Sequence, residues 1–181
     1  MTIAHEGTAA VSPFLRTYIR DLVYGANDGI ITTFAVVAGV AGAELSARIV
    51  LVLGVANLVA DGISMGASNY LGIRSERAAE RSHGATVDTK PPIAHGLMTF
   101  GAFVVAGVFP LVAYLLPIPA EYRFAAACGF TFTTQFVVGA ARTFVTGQGW
   151  FTSGLEMLAV GAAAAGCAYW LGRLVSNVGA V

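Results

Sequence analysis

The sequence is short of charge. Only 11% of its 181 residues are Asp, Glu, Lys or Arg, against about 25% in a soluble domain. With 56% hydrophobic residues and a mean hydropathy of +0.73, a fold solvated by water alone is excluded. Basic and acidic residues balance at ten each. Lys90 is the only lysine, no basic tract occurs and the formal net charge is zero, which leaves nothing to suggest a nucleic-acid partner. Cysteine is nearly absent. Cys128 and Cys167 lie in apolar runs, form neither a CxxC nor a disulfide framework, and read as small buried hydrophobes. No HExxH or Walker A motif occurs, so the chain reads as neither an enzyme nor an ATP-driven pump, and no cofactor is expected. The first twenty residues also lack an apolar h-region and a cleavage site. The expectation is that every apolar segment stays in the mature protein, and that the protein sits in a bacterial inner membrane.

What the chain has is long apolar runs. Five are expected to span a bilayer, at about 22–43, 48–73, 93–116, 122–145 and 153–175, each long enough for a hydrocarbon core about 30 Å thick. The fold class is therefore an all-α integral membrane protein, read as one transmembrane domain over 1–181. Residues 1–11 read as a tail. Ser12-Pro13 reads as an N-cap with proline at the first helical position, opening an amphipathic entry to the first span. Pro117 and Pro119 end the third span, and Gly147-Gln148-Gly149 turns the chain into the fifth. The hydrophilic stretch 74–92 is a short loop. Seven basic residues (Arg16, Arg20, Arg74, Arg77, Arg81, Lys90, Arg142) flank one side, and three (Arg48, Arg123, Arg173) the other. That bias predicts a cytoplasmic N-terminus and an external C-terminus.

Two polar stripes interrupt the first two spans. In the first, Gly25, Gly29, Thr32, Val36, Gly39 and Ala43 recur at helical spacing, with Asn27 and Asp28 beside them. Small residues let helix backbones approach closely. This face either packs within the chain or meets its own copy across a two-fold axis. In the second, Gly54, Asn57, Asp61, Met65, Ser68 and Gly72 share a face flanked by Ser64 and Asn69. Such side chains belong against protein or a water-filled path, and an intramembrane ionisable group is a functional hypothesis by default. At about 1.5 Å per residue, Asp28 lies roughly 9 Å in from Leu22, and Met65 and Asp61 roughly 12 and 18 Å in from Ile73. The three are therefore expected to form one site or two adjoining ones in the cytoplasmic half. Carboxylates with a thioether suit a borderline first-row ion such as Fe²⁺ or Mn²⁺. A carboxylate desolvated without a partner tends to hold a proton, which a metal must displace. The rival reading makes both aspartates structural, Asp28 stabilising a helix irregularity at Asn27-Asp28-Gly29 and Asp61 bonding a neighbouring hydroxyl.

Other polar residues have blander readings. Glu76, Glu80 and His83 form either a metal-collecting patch or a solvated helix end. His95 reads as interfacial, Ser153-x-x-Glu156 as a capping box opening the fifth helix, and Arg142 as snorkelling or pairing with Glu156. Thr131, Thr133, Thr134 and Gln135 read as interhelical hydrogen-bonding groups.

DLVYGANDGIITTFAVVAGVAGA, followed by LVLGVANLVADGISMGASNYLGIRSE, resembles the vacuolar iron transporter family, closely over the first two spans. SGLEMLAVG near the fifth is similar too. The resemblance implies five helices, a homodimer with a path near its two-fold axis, and export of Fe²⁺ or Mn²⁺ from the cytosol against protons. It places the metal on Asp28 and Met65, and Asp61 is added as a ligand on chemistry. Asn27, Thr32, Asn57, Ser64, Ser68 and Asn69 are expected to line the path. Two departures stand out. The stretch 74–92 is too short for the Glu-rich domain of well-studied members, leaving Glu76, Glu80 and His83 for cytoplasmic capture. Asn69 also stands where many relatives have Glu, a charge Asp61 would have to replace. The expected partners are thus a second copy, metal ions, protons and lipid. The alternatives are a transporter of another cation and a non-transporting membrane subunit that assembles with a partner.

Overall fold

The computed structural model describes residues 12–83 and 90–178; the tail read over 1–11 and residues 84–89 of the loop lie outside them. Helix α1 spans Pro13–Gly42, α2 Ala47–Ser82, α3 Pro92–Gly107, α4 Phe109–Leu115, α5 Ala120–Ala141, α6 Thr143–Thr146 and α7 Trp150–Val178. With α3–α4 and α5–α6 each counted as one span, five helices are long and apolar enough to cross a membrane.

Local chemistry sets the boundaries. Ser12 Oγ accepts from Leu15 N at 3.2 Å and Pro13 opens α1, as the sequence predicts. At the other end Leu45 N reaches Val40 O at 3.0 Å and Glu44 N reaches Ala41 O at 3.1 Å. This is a Schellman closure, with Glu44 rather than the usual glycine in the left-handed region at φ 57°. Helix α2 outruns its expected end at Ile73 by nine residues, to Ser82. Arg74–Ser82 holds helix-forming Ala, Arg and Glu with no glycine or proline to stop it, so much of the expected loop is helix. The third span breaks at Val108 because Pro110 has no N–H to offer Ala106, and Leu111 N bonds Val108 O at 2.9 Å instead. Gly147, at φ 67°, ends α6. The fifth span starts at Trp150, three residues before the expected cap, and Ser153 N already bonds Gly149 O at 3.0 Å. Ser153 is therefore inside the helix and the capping-box reading is wrong. Glu156 instead takes a 2.7 Å hydrogen bond from Arg142 Nη2, the pairing the sequence allowed.

Helix α1 is the centre, packed against α2, α3, α5 and α7. Ile30, Phe34 and Val37 are buried in it, and Phe34 meets Phe124 and Phe132 of α5. Its small face is used inside the chain. A Cβ at Gly25 would sit 2.3 Å from Thr99 O, and one at Gly29 2.2 Å from Phe103 O, both on α3. At the far end Gly42 meets Tyr169 O and Gly39 faces Gly172 of α7. The reading in which this face closes on a second copy is overturned, because α3 and α7 occupy it. The cysteine reading also changes, since Cys167 is exposed on α7 and Cys128 only half-buried.

The pairings of Gly25 with Thr99, Gly66 with Gly96 and Gln135 with Asn27 and Met157 show neighbouring spans alternating in direction. The start of α1, the end of α2 and the start of α3 thus lie at one end of the bundle, with α6 and the start of α7. All seven basic residues grouped together in the sequence fall there. It is called the basic end below.

Candidate functional site

A cavity of about 770 Å³ lies between helices α1 and α2. It runs from Arg20 and Glu76 at the basic end inward to Asp28 and Asp61, with Ser64, Met65, Ser68 and Asn69 along its α2 wall. The helical spacing of the second stripe produces this wall. Leu58, Gly62 and Gly66 turn inward and are buried, Gly62 against Phe100 and Phe103 and Gly66 against Gly96 of α3. Asp61, Met65 and Ser68 fall on the adjacent face. Met65 is half-buried against the main apolar core.

The structure therefore brings Asp28, Asp61 and Met65 to one cavity. Among the described residues, neither the Asp28 nor the Asp61 carboxylate has a hydrogen-bond partner. A structural aspartate in an apolar bundle is held by donors, because an unpaired buried polar group is costly. These two are not so held. Four carboxylates (Asp21, Asp28, Asp61 and Glu76) face one guanidinium, Arg20, around the cavity. A low-dielectric cleft with such an excess of negative charge favours cations.

The expected path residues divide. Ser64, Ser68 and Asn69 line the cavity. Thr32 and Asn57 lie just beyond its inner end, where Asn57 Nδ2 donates to Thr32 Oγ1 at 3.4 Å and Thr32 Oγ1 donates to Asp28 O at 2.8 Å. That contact ties α1 to α2 and bounds the cavity. Asn27 points elsewhere: its Oδ1 accepts from the fully buried Gln135 Nε2 at 3.1 Å, which also donates to Met157 O. Gln135 is the interhelical bond expected of α5. Thr134 bonds Phe130 O within its own helix, and Thr131 Oγ1 is buried without a partner among the described residues.

Glu76, Glu80 and His83 do not gather. Among the described residues no three His, Cys, Asp or Glu side chains converge as a metal-holding group. Glu76 and Glu80 instead line a second cavity of about 270 Å³ with Asp21, Arg77 and His95, and His83 is exposed at the end of α2.

Sequence reasoning missed a polar knot beside the main cavity. Asp21, 3% exposed, takes a 2.8 Å bond from Asn69 Nδ2 at Oδ1 and meets His95 Nδ1 at 2.6 Å through Oδ2. Asn69 Nδ2 also reaches Thr99 Oγ1 at 2.7 Å, and Thr99 donates to His95 O at 3.0 Å. His95 is thus buried rather than interfacial: Pro92 opens α3 close to α1, and the ring packs on Tyr18 with centroids 4.9 Å apart. Asn69 is committed to Asp21, so Asp61 stands in the cavity independently of it.

Comparison with known proteins identifies the family. A family model described as the VIT family matches residues 19–90 and 82–173. A vacuolar iron transporter from Toxoplasma gondii (strain ATCC 50861 / VEG) is 27% identical over 227 residues, covering 89% of this chain and 75% of that protein. Vacuolar iron transporter 1 of Arabidopsis thaliana is 26% identical, covering 88% of this chain and 86% of its own. A vacuolar iron transporter of Centaurea cyanus reaches 43% identity over a shorter 58 residues, 32% of this chain.

Proposed function

The chain belongs to the VIT family, and on that premise we propose that it carries a divalent first-row metal, Fe²⁺ or Mn²⁺, across its membrane in exchange for protons. The observation that carries this reading is the cavity in which the Asp28 and Asp61 carboxylates, free of hydrogen-bond partners among the described residues, meet the Met65 thioether. Two carboxylates neutralise a divalent cation, and a thioether favours Fe²⁺ or Mn²⁺ over Mg²⁺ or Ca²⁺. The Ser64 and Ser68 hydroxyls replace part of the water that the ion sheds. Protons held on the carboxylates must leave for the metal to bind and return when it departs. One site occupied alternately is the least machinery that exchanges the two.

The cavity opens towards the basic end, which the positive-inside rule assigns to the cytosol. The transported direction is then outward from the cytosol, and the Thr32–Asn57 contact is the gate that parts. Ser64 and Ser68 are exposed beside Val55, Val59 and Ile63, and serines flanking a carboxylate are poor neighbours for lipid. A second copy covers them. Since the small face of α1 is taken by α3 and α7, this interface lies on the α1–α2 side. A non-transporting subunit would hold its intramembrane carboxylates in bonds, as Asp21 is held; Asp28 and Asp61 are not.

The test is proton flux in liposomes containing only this protein, driven by added Fe²⁺ or Mn²⁺ and read with an internal pH dye. Metal-dependent flux is expected and should be lost in Asp28→Asn. Unchanged flux and pH dependence in that variant would overturn the reading, and titration with other metals ranks the ions.

A further inference from the structure

The Asp21–His95 pair takes no part in the exchange described above, yet it forms the wall between the two cavities. Asp21 lines both, and His95 lines the smaller. An ionised carboxylate offers only acceptors, so His95 Nδ1 carries the hydrogen in its 2.6 Å contact with Asp21 Oδ2. The other ring nitrogen, Nε2, is buried and has no partner among the described residues, although buried polar atoms are nearly always bonded. A structural histidine would have both nitrogens satisfied.

We propose that the Asp21–His95 pair is a proton-binding site separate from the carboxylates of the cation cavity, and that its loading weakens cation binding there. The step is a simple protonation. The Nε2 lone pair takes a proton from water reaching the smaller cavity, no other bond breaks, and the charge of the pair goes from −1 to zero. The groups around it set the balance. On α1 these are Arg20, Tyr18 and Asp21; on α2 Glu76, Glu80 and Arg77. Lys90, ahead of α3, is bonded to Thr17 and lies 5.9 Å over the Tyr18 ring. Charges of both signs thus surround the ring, and no single neighbour dictates its state.

The link to the cation follows from helix geometry. Asp21 and Asp28 are seven residues apart on α1, two turns along one face, at roughly 10 Å. Removing one negative charge at that distance from a divalent ion weakens its binding on the order of tenfold, at a dielectric between that of protein and water. The coupling is reciprocal, so a bound metal drives the proton off His95. This inference rests on the reading that Asp28 and Asp61 hold the cation.

Two measurements on the purified full chain in detergent test it. In a His5→Gln/His83→Gln chain His95 is the last histidine, and its ¹⁵N imidazole signal should shift between pH 5 and 8. An imidazole signal constant over that range would overturn the proposal. Calorimetric Mn²⁺ binding should weaken between pH 7.5 and 5.5 by about tenfold more in the wild type than in His95→Gln, which keeps a donor to Asp21 but takes no proton. Equal pH dependence in the two chains would overturn it as well. Neither measurement involves transport. Absent proton flux in liposomes with this linkage intact would sink only the exchange reading, and intact flux without the linkage would sink only this one.

Discussion

The two seams that α1 makes with its neighbours are built to opposite rules. Against α3 the backbones nearly touch: Gly25 and Gly29 leave no room for even a methyl beside Thr99 O and Phe103 O. Against α2 the helices stand apart around a 770 Å³ cavity, bridged by side chains at Asn69–Asp21 and Asn57–Thr32. The glycine seam gains dispersion contacts over its length, the main source of helix association in lipid. The open seam forgoes them and keeps two carboxylates without partners. The difference teaches that packing and open polar space are separated by face on a single helix. One side of α1 holds the bundle together, and the other borders the cavity to which the exchange is assigned in the proposal above.

Substitutions can break this comparison, and the largest effect belongs to the closed seam. Gly29→Val would place a branched Cβ where backbone already sits 2.2 Å away. The expected loss is at least about 3 kcal/mol, at the upper end for overpacking. Thermal unfolding in detergent checks it, and a loss below about 1 kcal/mol would mean that the seam yields more easily than the geometry allows. Next comes the bridge across the open seam. Asn69→Leu removes the donor to Asp21 Oδ1 and leaves a 3%-exposed carboxylate with the His95 bond alone. A stability loss of about 2 kcal/mol is expected, read in the same melt. Smaller still for the fold, but not for binding, is Asp61→Asn. Among the described residues its carboxylate has no partner to lose, so the melting point should hold within about 0.5 kcal/mol. Mn²⁺ affinity by calorimetry should nonetheless fall at least tenfold, about 1.4 kcal/mol. If affinity stayed and stability fell, Asp61 would be a structural residue and the open seam an ordinary one.

Much of this was legible in the sequence, and what was not has a common physical cause. The apolar runs mark the spans because bilayer thickness fixes their length. Asp28, Asp61 and Met65 stand out because a polar group in hydrocarbon is costly enough to need a reason. Apart from Arg142–Glu156, which the sequence allowed, partners across helices were not legible. A stripe of small residues says that something approaches closely, but α3 and a second copy satisfy it equally well. The Asp21–His95 contact joins residues 74 apart, and nothing local in either stretch records it. The misread Ser153-x-x-Glu156 shows the same limit at short range. The motif fits a helix start, but the helix already begins at Trp150, with Ser153 N bonded to Gly149 O, and Arg142 takes Glu156.

The smallest expected effect sharpens the comparison most, because it asks whether glycine matters in α3 by itself or only at the seam. Gly96 and Gly107 of α3 each have a backbone oxygen within 3 Å of where a Cβ would be, Gly66 O at 2.6 Å and Gly29 O at 2.8 Å, whereas Gly101 has nothing within 4 Å. All three lie in the same helix, and only the neighbour differs. Gly101→Ala adds a methyl to open space and reduces the backbone freedom of the unfolded chain, so it should leave the protein unchanged or stabilise it by up to about 1 kcal/mol. Gly107→Ala, pressed against the Gly29 carbonyl and Leu58, should destabilise it by about 1–3 kcal/mol. Parallel melts of the two variants decide the matter. Opposite signs place the constraint in the α1–α3 contact, while equal losses would place it in α3 itself and remove the contrast between the seams.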